Sequence, residues 1–173
     1  VDDGQGGTAT ESVSVRVTGV NDPPVANDDA SSTDEDTAVT IDLLGNDVDA
    51  ESSAPVINGL NDSATVGSLT PNADGTVTYD PSGRFDLLAE GERATDTFGY
   101  SIEDGAGGVG VATVTVEVVG INDAPVAEND AASTDEDTPL TIAVLDNDND
   151  AEDDPQTITE LDDSATLGRV TLN

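Results

Sequence analysis

Four short acidic phrases in this chain have the composition of a hard-cation site. They are Asn21-Asp22 ahead of two prolines, Asp34-Glu35-Asp36, Asn46-Asp47-Val48-Asp49-Ala50-Glu51, and Glu103-Asp104-Gly105. Carboxylates and backbone carbonyls are the ligands of Ca²⁺, which gathers about six to eight oxygens. The rival chemistry is acid–base catalysis by paired carboxylates, as in glycoside hydrolysis. The chain has no His and no Cys, so thiol chemistry and imidazole bases are excluded.

Every phrase is written twice. Asn21-Asp22 returns as Asn122-Asp123, 101 positions later, and Glu35, Asp47, Asp49 and Asp104 lie in phrases with the same offset. Asp34-Glu35-Asp36-Thr37 returns as Asp135-Glu136-Asp137-Thr138, and Asn46-Asp47 as Asn147-Asp148. Asp3-Gly4 precedes Asp104-Gly105 by the same interval. A fixed period without insertions marks a tandem array. Repetition in register suits architecture better than a single active site, so no enzyme is expected. The period divides the chain into three parts. Residues 1–20 read as the C-terminal strand or strands of a preceding repeat, 21–121 as a complete repeat, and 122–173 as the N-terminal half of the following one. The sequence reads as a window on a longer array.

The elements that must position these acids are strands. "GVGVATVTVEVVG" from Gly108 to Gly120 alternates with a period of two, as a half-buried strand does. Thr37 to Leu44, Gly75 to Pro81 and Asp96 to Ile102 are also strand-like, and shorter candidates run over Val25 to Ala30, Val56 to Leu60 and Ala64 to Leu69. Asn, Asp, Gly and Pro punctuate them. One turn of helix is conceivable over Phe85 to Glu90. About seven strands in a repeat of this length predict an all-β fold, a tandem antiparallel β-sandwich of immunoglobulin-like type. Tyr79, Phe85, Phe98 and Tyr100 are expected in its core.

Antiparallel strands sort the acids into two poles. A first strand leaving Asn21-Asp22 descends and puts Glu35 at the lower pole. The second climbs and returns Asp47 and Asp49 to the upper one. The last hairpin turn, with Asp104, must also be upper, because the strand after it descends to the next linker. Asp22, Asp47, Asp49 and Asp104 therefore share one pole. Glu35 shares the other with Asp123, Asp148 and Asp150 of the following repeat. An Asp-rich loop is ordinarily a solvated turn, and that reading stands for Asp28, Asp29, Asp62 and Asp74. Convergence from separated segments argues for Ca²⁺ at the polar sets. The Asp146–Asp154 loop is no EF-hand, because Ala151 and Thr157 stand where that loop needs Gly and Glu. Gly105, Gly107 and Gly108 are expected to supply positive φ in a hairpin. The prolines after Asn-Asp should stiffen the linker.

Composition narrows the partners. There are 38 acidic residues against four basic ones, for a formal charge of −34. No basic patch can be assembled for nucleic acid, and an anionic membrane would repel the chain. No apolar run approaches the ~20 residues of a membrane span. So many carboxylates oppose compaction unless cations neutralise them. With no disulfide to staple a small domain, a metal is the usual substitute.

Three phrases carry a family resemblance. "VTVEVVGINDAPV" resembles the end of a cadherin repeat, "DEDT…NDVDAE" its acidic turn and Asp-x-Asp loop, and "IEDGAGG" its last turn. "FDLLAEGERATDTFGYSIEDGAGG" and "GINDAPVA" are similar to the bacterial cadherin-like and VCBS repeats of giant RTX-type adhesins, and the likeness extends over the full sequence. The resemblance implies a sandwich, Ca²⁺ at the junctions, type I secretion and a place on the bacterial surface or outside the cell. It implies the ligands Asp22, Glu35, Asp47, Asp49 and Asp104, and in the next copy Asp123, Glu136, Asp148 and Asp150. One acid of the vertebrate pattern is missing, since Gly19 or Gly120 stands two positions before the linker Asn. Fewer ions per junction are expected.

The resulting expectation is a Ca²⁺-rigidified extender of a large surface adhesin. Its partners would be adjacent repeats of the same polypeptide. The alternative is a subunit of a self-associating matrix fibre, joined to other copies through unpaired edge strands. A carbohydrate-binding module is disfavoured, because there is no Trp and the four aromatics are better used in the core.

Overall fold

The computed structural model describes residues 1–51 and 54–172; Asn173, the last residue of the expected half-repeat, lies outside them. Among the described residues, seven strands form between Asp29 and Val119: β1 (Asp29–Asp34), β2 (Val39–Asp42), β3 (Val56–Asn61), β4 (Ser68–Pro71), β5 (Thr76–Asp80), β6 (Arg93–Glu103) and β7 (Val109–Val119). They make two sheets, ordered β1-β7-β6-β3 and β2-β5-β4. The all-β sandwich is as the alternation predicts.

The core lies between the sheets. Ile41, Val77 and Tyr79 come from the smaller one, Leu43 from the residue just after β2, and Phe98, Tyr100, Ile102, Val114, Val116 and Val118 from the larger. Period-two alternation aims these side chains inward from each strand. Phe85 is partly buried against the same core. The segment from Phe85 to Glu90 holds turns, with Leu88 N donating to Phe85 O at 2.8 Å, and no helix.

Three expectations need correction. The sheet is not wholly antiparallel, because β1 pairs with β7 in parallel, Asp29 opposite Val114 through Asp34 opposite Val119. This first strand also starts later than Val25. Its sequence, DASSTD, shows no apolar alternation, and backbone bonds to β7 define it. Val25 makes only an isolated bridge with Val48. Next, β4 begins at Ser68 and not near Ala64, because the amides of Val66 and Gly67 donate to the Asp96 carboxylate, both at 2.9 Å to Oδ2. Third, positive φ is found at Gly105 and Gly107 but not at Gly108. A Cβ at Gly108 would strike the Asp104 carboxylate and the Pro23 backbone, so close approach explains that glycine.

The flanking segments carry bridges and turns but no strands among the described residues. In residues 1–20 the alternating Val13, Val15 and Val17 are exposed.

Candidate metal centre

The strand directions sort the acidic loops into two ends of the sandwich. At the upper end the last hairpin turn meets the linker. Asn21 Nδ2 donates to Asp104 Oδ2 at 2.8 Å and to Asp22 O at 3.2 Å. Asp22 N donates to Glu51 Oε1 at 3.3 Å. Asp104 Oδ1 also accepts from Ala106 N and Gly108 N, at 2.7 and 2.9 Å. The amide of Asn21 and these turn amides hold the Asp104 carboxyl below its usual range. Asp49 Oδ1 accepts from Glu51 N at 3.0 Å. Thus Asp22, Asp49 and Asp104 are linked through Asn21 and Glu51.

Asp47 points elsewhere. Its carboxylate accepts from Asn27 N at 2.8 Å and from the Tyr100 hydroxyl at 3.1 and 3.3 Å. The same hydroxyl lies 2.9 Å from Asn27 O and 3.0 Å from Leu43 O. Asp47 thereby ties the loop after β2 to the segment ahead of β1 and to the core end of β6.

The lower end lies beside the second Asn-Asp linker. Glu35 follows β1 and is 1 % exposed. Its amide donates to Val119 O at 3.1 Å, and its Oε1 accepts from Ile121 N at 2.8 Å. Across the linker, Asp123 N donates to Glu152 Oε1 at 2.9 Å. Glu35 Oε2, Asp86 Oδ1 and Glu152 Oε2 are buried without a hydrogen-bond partner. Burial pushes the Glu35 carboxyl up; the Ile121 amide opposes this, and the charges of Asp123, Asp86 and Glu152 add to it. Asp123 is pushed up by desolvation and by Glu152, Asp36, Asp86 and Asp150. Carboxylates that raise one another's pKa in this way are short of positive charge.

Of the remaining expected residues, Asp150 is buried, 7 % exposed, and accepts from Asp154 N at 3.0 Å. Asp148 Oδ1 accepts from Glu128 N at 2.9 Å, repeating the bond of Asp47 to Asn27. Glu136 is exposed and not drawn into either set.

A family model described as a bacterial cadherin-like domain matches residues 21–120. The chain belongs to the bacterial cadherin-like domain family. A model described as a bacterial Ig domain matches residues 122–173. No curated protein matches the sequence. Both domains are non-catalytic and typical of bacterial surface and adhesion proteins.

Asp86 of this cadherin-like domain and Glu152 of the segment matching a bacterial Ig domain are the residues that sequence reasoning left out of the lower set. The signal for Asp86 was available. Strand β5 is antiparallel to β2 and descends, so the connection holding Asp86 must lie at the lower end. The domain also gives a reason for Gly120. A Cβ there would strike the carbonyls of Leu88 and Ala89. Gly91 N donates to Gly120 O at 2.9 Å, and Gly120 N to Glu92 O at 2.8 Å. The Asp86 loop packs where a side chain at 120 would go, and brings its own carboxylate.

Among the described residues, no group of three or more Asp or Glu side chains is gathered closely enough to hold a metal ion as it stands. The donor chemistry nevertheless fits Ca²⁺. The partnerless atoms are carboxylate oxygens, one of them on a nearly inaccessible Glu, drawn from both sides of the linker. An unpaired buried carboxylate is costly, and its oxygens are of the type that hard divalent cations take as ligands.

Proposed function

We propose that this chain is a structural extender of a large secreted bacterial surface adhesin, stiffened by Ca²⁺ at the junctions between units. The observation that carries this reading is Glu35, buried at the end of one unit with Oε2 unpartnered beside acids of the next. The lower site would be held by Glu35 and Asp86 from the first unit, and by Asp123, Asp150 and Glu152 from the second. The corresponding upper set is Asp22, Asp49 and Asp104, with Glu136 serving the junction after the next. Asp47 and Asp148 sit beside these sets and brace their loops. Residues 1–20, 21–121 and 122–173 are read as parts of three successive units.

The bound ion would supply positive charge to oxygens from both units. That converts mutual repulsion into a shared clamp, and the linker loses its freedom to bend. The protein's own contribution is to present the acids at the poles. The parallel β1–β7 pair brings Glu35 down to Ile121, and Pro24, buried behind Asp22, fixes the direction of exit. Display on the cell surface after type I secretion, in adhesion or biofilm, completes the reading.

Calorimetric titration with Ca²⁺ tests it. The unaltered protein should take up Ca²⁺, and Glu35→Gln with Asp86→Asn should remove the lower-site fraction. No heat of binding at millimolar Ca²⁺ would overturn the proposal.

A further inference from the structure

The sequence contains one Asn-Gly pair, Asn58-Gly59, within β3. The matching positions of the following segment are Thr159-Glu160, so the pair does not belong to the repeated pattern. Asn58 is exposed, and β3 is a terminal strand of its sheet. The register with β6 slips here, from Ile57 opposite Ile102 to Gly59 opposite Ser101, leaving Asn58 as the extra residue of a bulge. A bulge residue departs from the extended backbone. Packing does not call for glycine at 59. A Cβ would meet only Ser101 Oγ at 3.5 Å, an ordinary contact, and φ there is not positive.

We propose that Asn58-Gly59 is a site of spontaneous, water-driven backbone-assisted deamidation. The Gly59 amide nitrogen loses its proton to water and attacks Asn58 Cγ. A new bond forms between that nitrogen and Cγ, the Cγ–Nδ2 bond of the Asn58 amide breaks, and ammonia leaves with the proton. Water then opens the five-membered imide at either carbonyl, giving aspartate or isoaspartate. No oxidant or further reactant is needed. The missing Cβ at 59 removes the usual steric bar to ring closure, and the bulge frees Asn58 from the ladder geometry that opposes it. The product places a carboxylate on a terminal strand, where charge discourages pairing with another polypeptide.

The test incubates the folded protein at mildly alkaline pH beside a peptide spanning residues 55–62, followed by peptide mapping with mass detection. The folded protein should convert at Asn58 with release of ammonia, while Asn72 stays intact. Gly59→Ala, which the open space accommodates, should keep its melting temperature and convert severalfold more slowly. If Asn58 keeps its amide in the folded protein while the peptide converts fully, the strand protects it and the proposal fails. Equal conversion at Asn72, or an unchanged rate in Gly59→Ala, also overturns it.

Discussion

Two carboxylates, both nearly inaccessible, show how environment sets a residue's role. Asp96 is 3 % exposed and has every partner it needs: the amides of Val66, Gly67 and Thr97, and the Tyr79 hydroxyl at 2.8 Å. Burial and the bond to Asp96 push the Tyr79 hydroxyl far up, so it remains a donor. Asp96→Ala strands all four donors, the buried Tyr79 hydroxyl among them, and should cost about 3 kcal/mol or more, read from urea unfolding. Glu35 is as buried but half satisfied. In chelator, Glu35→Gln should stabilise the protein by about 1 kcal/mol, because it removes an unpaired charge. With Ca²⁺ in hundredfold excess over its dissociation constant, the unaltered protein should gain about 2.7 kcal/mol, and the variant should gain less. Melting curves in both buffers check this reversal. The pH dependence should reverse as well. Glu35 in the folded state lies above its ordinary value of 4.5, so the folded state holds the proton more tightly. In chelator, stability should therefore fall as pH rises from 4.5 through the folded value. In saturating Ca²⁺ the carboxylate form is favoured instead, and stability should fall as the pH drops.

At the scale of elements, what reads from sequence is what rests on local pattern. The alternating valines of β7 and the apolar positions of β2, β5 and β6 announce themselves because each strand has one buried face. Strand β1 does not, since its hold comes from a parallel neighbour that lies far along the sequence. The start of β4 was equally hidden, because a carboxylate on β6 captures the amides that would have extended it. The site divides in the same way. The turn acids were expected from phrase and topology, Asp86 was passed over although its connection follows a descending strand, and the inward turn of Asp47 depends on the Tyr100 hydroxyl. Local hydrogen bonds recur at the repeat offset: Val126 bridges Asn149, as Val25 bridges Val48. Gly120 is the point at which two elements cannot part. Gly120→Ala should cost about 1–3 kcal/mol by forcing the Leu88–Ala89 backbone away, and urea midpoints will measure it.

The whole molecule carries a formal charge of −34, part of it in the acidic turns at the two ends of the sandwich. Without cations this arrangement repels itself across each linker, and within about a Debye length added monovalent salt only screens it. A divalent ion shared by Glu35 and the acids of the following unit would do more, because it would fix direction. On the proposed reading, the linker phrase and the acidic turn that follows it in sequence serve different junctions, one unit apart. Small-angle X-ray scattering of the protein, in millimolar Ca²⁺ and again after chelation at the same ionic strength, tests this most directly. Ca²⁺ should narrow the distribution of overall dimensions and give one extended arrangement of the folded unit and its flanking segment, and Glu35→Gln should blunt the change. Superimposable curves with and without Ca²⁺ would contradict it.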